Sequence, residues 1–444
     1  MIVVIGGGPA GRIASIRLAT AGKEVTLCEQ GGIGGQCLHF GCMPVCALND
    51  IARLIHTCRS FHKLGLIDTI PNLRFGDTLR EMKLIQEKIA SILDSETRHA
   101  GVNIVYGKTG RYENGRVLIG DETVDADNVL IATGSRPNIP DAGGLDLPGV
   151  YNPHSVWNMK ELPKNLAIIG GGVMAAEFAY IFREFGSRVT VISRSGFLKD
   201  LDPHLRAQGI RELDDVALRE YASLSSCSGS SCVESVLIRT KTCEDSVGCD
   251  AVLVTTGLVP RSEMIQGVDK RPDGSIIVDD HMRTSVKNVY AGGDVTGPPY
   301  LTPVARHQGI VAADNILGKD RAMEYRFIPR SINLTNELAY CGIPGDGAAK
   351  LSIPGPAGPG TFWSVPSGRT GLAKIMTDPD TGAIQSMCTA GPGGGLIAGY
   401  MGFLMQRHFT VHDFDDFVEV HPSTDGVYGL AKYASELLKK RNKE

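Results

Sequence analysis

Cys37 and Cys42 stand five residues apart in Gly34-Gly35-Gln36-Cys37-Leu38-His39-Phe40-Gly41-Cys42-Met43-Pro44, and Cys46 follows four residues later. A thiol can be a nucleophile, a redox group or an inert buried side chain, and its ionisation decides which. In a regular helix, Cα atoms five residues apart lie roughly 8–9 Å from one another. A disulfide tolerates at most about 7 Å. Chemistry between these two sulfurs therefore requires a broken helix, and Gly34, Gly35, Gly41 and Pro44 are residues that break one. The spacing alone fits two separate buried thiols better. Cys46 is expected to be a packing residue, because free Cys is commonly buried.

The cysteines follow directly on a second chemically suggestive segment. Gly6-Gly7-Gly8-Pro9-Ala10-Gly11 lies between an apolar strand at 2–5 and a helical apolar pattern at 12–21, capped by Gly22. Gly6, Gly8 and Gly11 form a GxGxxG turn. Such a turn lets backbone approach a pyrophosphate at a helix N-terminus, where free N–H groups and the helix dipole favour anions. Glu29 ends the next strand, where its carboxylate can accept hydrogen bonds from ribose hydroxyls. The same unit recurs at 165–192. Gly170 and Gly172 make the turn, Ala175 takes the third small position, and a helix over 176–185 is capped by Gly186. After that second strand come Ser193, Arg194 and, shortly after, Lys199, with no acid. An acidic side chain there would repel a 2′-phosphate and Arg can clamp one, so NADPH is preferred over NADH.

Two strand-turn-helix-strand units imply two nucleotide-binding domains. Echoes at 129–134, ending Thr133-Gly134, and at 252–257, ending Gly257, close each half. Between the two units lie a long helical stretch at 78–98 and a strand-rich return at 102–133. Residues 223–231, rich in Ser and Cys, read as a surface hairpin or loop. Beyond about residue 325 the pattern is mixed strand and helix with no nucleotide fingerprint. A chain of 444 residues, 42% hydrophobic and 21% charged, suits two to four soluble domains. A net charge of −4 argues against a nucleic-acid partner, and no apolar run reaches the roughly 20 residues that span a bilayer. The opening strand has no basic flank or cleavage site, so a cytoplasmic location is expected, where most of the eleven Cys should stay reduced.

G-G-x-C-x4-C-x-P after such a unit resembles the flavoprotein disulfide reductases that include dihydrolipoamide dehydrogenase, glutathione reductase and mercuric reductase. The resemblance extends over essentially the whole chain. Ala132-Thr133-Gly134 and Ala291-Gly292-Gly293-Asp294 are similar to its two further FAD motifs, Glu177 sits where the family has a Glu, and His421-Pro422-Ser423 resembles its His-Pro-Thr. It implies an α/β fold of two Rossmann-like domains plus a C-terminal α+β dimerisation domain. FAD would be bound by 1–145 with 282–324, NAD(P) by 146–281, and 325–444 would form the interface of a homodimer. It implies a Cys37–Cys42 disulfide reduced by NAD(P)H through FAD, with Cys42 as the flavin-side thiolate and Cys37 as the thiol that attacks a small-molecule or thiol/disulfide substrate. His421 from the second subunit would be the acid/base. No metal is implied.

Two positions depart from the family pattern. Cys46 stands where a Lys usually pairs with the Glu matched by Glu177. Position 426 is Gly, so the carboxylate nearest His421 is Asp425, one residue early. The Cys-x-His-x-x-Cys-x-Pro run without a following Lys also resembles 2-ketopropyl coenzyme M oxidoreductase/carboxylase, whose catalytic His is replaced by an apolar residue; here His421 is present. Carbon–sulfur cleavage is thus one alternative activity, and a non-catalytic flavin redox sensor or electron carrier is another.

Overall fold

A computed structural model describes residues 1–343, 346–354, 362–363, 365–366, 368–420 and 426–441. The first parallel sheet runs Val289–Ala291, Asn128–Ile131, Ile2–Ile5, Val25–Glu29, Asn103–Tyr106. Ile2–Ile5 is buried at every position, as a central strand covered on both faces must be. Helix α1 (Pro9–Thr20) follows it and starts three residues earlier than its apolar pattern, with Pro9 where a missing N–H costs nothing. After the strand Val25–Glu29 come a short helix α2 (Gly35–His39), a long α3 (Cys42–Lys63) that the sequence reading missed, and α4 (Phe75–His99).

The second parallel sheet runs Ala217–Glu220, Arg188–Ser193, Asn165–Ile169, Ala251–Val254, Val150–Tyr151. Its central strand feeds α5 (Val173–Phe185), which begins three residues before its expected start and ends at Gly186 with φ +110°. Ser223–Ser228 pairs antiparallel with Ser235–Arg239, so the Ser/Cys-rich stretch is one arm of a hairpin. Helix α6 (Pro203–Glu212) precedes it, and α7 (Thr302–Ile316) packs against α1. The C-terminal sheet is antiparallel, five-stranded, and packed with α8 (Gly394–Gln406) and α9 (Gly426–Arg441).

One apolar core unites three of these parts. Leu48, Ala52 and Ile55 of α3 pack with Phe178, Ile181 and Phe182 of α5 and with Ile332, Leu334 and Leu338 of the C-terminal sheet. That core sets where α3, and so Cys42 at its start, sits against α5. Among the described residues no helix is long and apolar enough to cross a membrane.

Candidate active site

The helix breaks where the cysteines need it to. Helix α2 stops at Phe40, and the N–H groups of Phe40 and Gly41 both donate to the Gln36 carbonyl, at 2.9 and 2.7 Å. Gly41 is non-helical, and a Cβ there would lie 3.2 Å from that carbonyl oxygen. Helix α3 then begins at Cys42, with Pro44 in its first turn, where no N–H is lost. Side chains brace the break. Phe40 stacks on His154 at 4.4 Å, the His154 ring meets Gln36 at 3.0 Å, and Gln86 donates to the Leu38 carbonyl. Burial, then Arg261, pulls His154 down to about 4, so it braces as a neutral ring.

Cys37 and Cys42 are free thiols that face one another. The facing Cys42 thiol, above all, pulls Cys37 down to about 6; burial opposes this, and Thr302 and Arg306 support it. The same contact, with burial, pushes Cys42 up. The two thiols thus titrate as a pair, and contact between them favours one negative charge shared by the reduced pair. Thr302, the first residue of α7, lies 3.5 Å from the Cys42 sulfur.

Both thiols line a cavity of about 440 Å³ with Gly6, Gly8, Glu29, Gly35, Thr133, Gly134 and Asp294. Its walls fit a dinucleotide. A Cβ on Gly11 would lie 1.9 Å from the Gly6 oxygen, one on Gly6 2.3 Å from the Ala132 oxygen, and one on Gly35 2.8 Å from Gly8. Only glycine lets these backbones meet and leaves the α1 N-terminus open to an anion. The Glu29 carboxylate accepts from the N–H groups of Gly7 and Gly31 at 2.5 and 2.7 Å, which fixes it at the rim of the loop. Asp294 accepts from Ser135 Oγ at 2.7 Å, and burial raises its carboxyl against that bond. Gln308 of α7 accepts from Gly293 N–H at 2.7 Å and holds the second motif in place.

The second turn is built alike. Gly170 has φ +142°, a Cβ on Gly171 would strike Ser193, and Ala175 is fully buried behind Gly172. Gly257, φ +104°, ends the matching strand-turn. Arg194 and Lys199 are exposed on the loop after Ser193. Among the described residues Arg194 has no ion pair, and the nearby Glu220 is engaged by Phe197 N–H and Arg206.

Glu177, one turn into α5, accepts from both the backbone N–H and the side-chain amide of Asn333, at 2.8 and 2.9 Å. It keeps some accessible surface, yet the protein packed around it pushes its carboxyl up to about 7, against those two bonds. Cys46 lies within electrostatic reach of both Glu177 and Cys42, and the expectation of a packing residue fails. Cys46 is half-desolvated at its sulfur but exposed as a residue, and it lies outside the apolar core that Val45 and Leu48 join. Burial of its sulfur, then Glu177 and Cys42, push the thiol up to about 11. His421 and Asp425 lie outside the described residues. Thr302, Ser135, Gln308 and Asn333 were missed in sequence. Thr302-Pro303 is a legible helix start, but nothing local says that this helix points at Cys42.

A family profile described as pyridine nucleotide-disulphide oxidoreductase matches residues 1–309. The chain is 29% identical to dihydrolipoyl dehydrogenase of Bacillus subtilis over 95% of each chain. It is 28% identical to mercuric reductase of Shigella flexneri over 100% of this chain and 81% of that one. Its fold superposes on LpdA from Mycobacterium tuberculosis with a TM-score of 0.86 at 24% identity, over 97% of this chain and 99% of that one. It superposes on the HOCl-induced flavoprotein disulfide reductase RclA from Escherichia coli with a TM-score of 0.85 at 22% identity, over 97% and 99%. With the profile spanning both nucleotide units and the paired thiols between them, the chain belongs to the pyridine nucleotide-disulphide oxidoreductase family, whose chemistry is FAD- and NAD(P)H-dependent.

Proposed function

We propose that the chain is an NAD(P)H:disulfide oxidoreductase in which Cys37 and Cys42 are the working dithiol. The observation that carries this reading is the helix break that turns two cysteines five residues apart toward each other on the wall of a dinucleotide-shaped cavity. Residues 1–145 with 282–324 would bind FAD through Gly6, Gly8, Gly11, Glu29, Gly35, Thr133, Gly134 and Asp294. Residues 146–281 would bind the nicotinamide nucleotide through Gly170, Gly172, Ala175, Glu177 and Gly257, with Arg194 and Lys199 favouring NADPH. Bound FAD supplies the two-electron relay between NAD(P)H and the sulfurs. Cys37 attacks the substrate disulfide and releases one thiolate, and Cys42 then displaces the second by closing on Cys37. His421, positioned by Asp425 and contributed by a second copy in a homodimer, protonates the leaving thiolate. Leu396 and Phe403 of α8 and Val418 are exposed on residues 325–444, and that apolar surface supports the pairing of copies.

Anaerobic titration with NADPH tests the reading. The holoenzyme should take up two electron pairs per FAD, and Cys42→Ser one. A wild-type enzyme that accepts a single pair has no working dithiol. No observation among the described residues favours carbon–sulfur cleavage or a non-catalytic role.

A further inference from the structure

Among the described residues, six that are not glycine have a left-handed backbone. Five of them have a local account. Asn114 and Asn288 are of the type that tolerates this region, and His408 follows the C-cap of α8, where a left-handed residue is usual. Leu198 and Met282 are buried, and each joins an apolar core. Tyr221, at φ +57°, has no such account, because it is 64% exposed. A bulky residue held in this region costs free energy, and such residues cluster where ligands are clamped.

Tyr221 stands at the mouth of the second nucleotide turn. The strand Ala217–Glu220 lies beside Arg188–Ser193, and Tyr221 follows its last residue. Glu220 Oε1 accepts from Phe197 N–H at 2.7 Å and from Arg206 Nη2 at 2.6 Å. Ala222 N–H donates to the Ser193 carbonyl at 3.1 Å. The residues on both sides of Tyr221 are thus tied to the loop at 194–199. Within that loop Gly196 has φ +99°, and a Cβ there would lie 3.6 Å from Lys199 Cβ and 3.7 Å from the Tyr221 hydroxyl. The phenol therefore reaches across the loop that carries Arg194 and Lys199.

The groups gathered there are donors without strong partners. Among the described residues the Tyr221 hydroxyl has no hydrogen bond and Arg194 no ion pair, and Lys199 meets only the exposed Asp200, at 3.9 Å. An exposed pair at that distance is weak. Glu220, the carboxylate against the loop, is already matched by Arg206. A guanidinium, an ammonium and a phenol can all donate to a phosphate oxygen.

We propose that Tyr221 determines selectivity for NADPH, its hydroxyl donating a hydrogen bond to the adenosine 2′-phosphate alongside Arg194 and Lys199. This rests on the reading of Arg194 and Lys199 given above and adds a residue that is not charged. NADH has a neutral hydroxyl at the same place and gains little from the contact. The strained backbone is kept because a shorter side chain suited to it, such as Asn, does not cross the loop to Gly196.

Calorimetric titration of the oxidised holoenzyme with adenosine 2′,5′-bisphosphate and with 5′-AMP tests this without turnover, since the two ligands differ only in the 2′-phosphate. Tyr221→Phe keeps the ring and loses the hydroxyl. It should weaken the bisphosphate about tenfold, the scale of one hydrogen bond to a charged acceptor, and 5′-AMP by less than about twofold. Tyr221→Asn suits the left-handed backbone. It should show the same selective loss and melt no lower than wild type, which separates a lost contact from a lost fold. Wild-type affinity for the bisphosphate in both variants, or an equal loss for the two ligands, overturns the role of Tyr221. A wild-type enzyme that binds the two ligands equally, with Arg194→Glu changing neither, overturns the NADPH reading and this proposal with it.

Discussion

Glu177 makes a prediction whose size follows from its surroundings. Burial raises its carboxyl from the ordinary 4.5 to about 7. Between those values the folded protein keeps a proton that the unfolded chain gives up, so stability falls as pH rises through that window and the full cost is present above it. Each unit is worth about 1.4 kcal/mol, which puts the cost of ionised Glu177 at about 3 kcal/mol. Glu177→Gln removes the ionisation and keeps an oxygen for both Asn333 donors. At about 2–4 °C per kcal/mol for a cooperative unit of 150–250 residues, the variant should melt several degrees above wild type at pH 8.5 and close to it at pH 4. Differential scanning calorimetry with FAD in excess measures both. The same difference at the two pH values would refute the claim that burial holds this carboxyl protonated.

Three further outcomes follow. In the reduced enzyme, alkylation of Cys37 by iodoacetamide should be half-maximal near pH 6, and Cys42→Ser should move that midpoint up toward the ordinary thiol value of 9.0, because the facing thiol is the main cause of the shift; peptide mapping of the alkylated protein reads it, and an unmoved midpoint would place the cause elsewhere. Gly11→Ala should purify with under about a tenth of the normal flavin, since its Cβ would sit 1.9 Å from the Gly6 oxygen and must open the strand–helix contact that shapes the pyrophosphate cradle; full flavin absorbance would show the loop is not the cradle. Arg194→Glu should raise KM for NADPH about tenfold or more with little change for NADH, and equal losses would show that Arg194 does not read the 2′-phosphate.

The nucleotide units were legible because their physics is local. A glycine turn between a buried strand and a helix can be read from residues 2–11 or 165–175 alone, and the structure adds only that the helices begin at Pro9 and Val173, inside the turn. The thiol pair was half legible. Gly41 marks a possible break, but whether Cys42 meets Cys37 depends on Gln36 accepting two N–H groups and on Phe40 stacking against His154 from far along the chain. Cys46 was misread for a related reason. Cysteine's general preference for burial says nothing about which face of a helix it occupies, and here Cys46 falls outside the apolar core that Leu48, Ala52 and Ile55 join. Asn333 could not have been found. Its role depends on a loop of the C-terminal sheet reaching α5, a contact across more than 150 residues of chain.

The departures from the family pattern are connected. With Cys46 in place of a lysine, Glu177 has no cation of its own at that spot, and Arg53, the nearest one, is already committed to Leu334 and Glu337. The carboxyl is left with two neutral donors from Asn333, which are too weak to overcome its burial, and so it titrates near neutrality instead of staying ionised. A fixed ion pair beside the dithiol would set a constant field. A protonatable carboxyl in the same place changes its charge near neutral pH instead. Restoring the cation by Cys46→Lys should therefore pull Glu177 back toward an ordinary carboxylate and abolish the pH dependence of its stability effect.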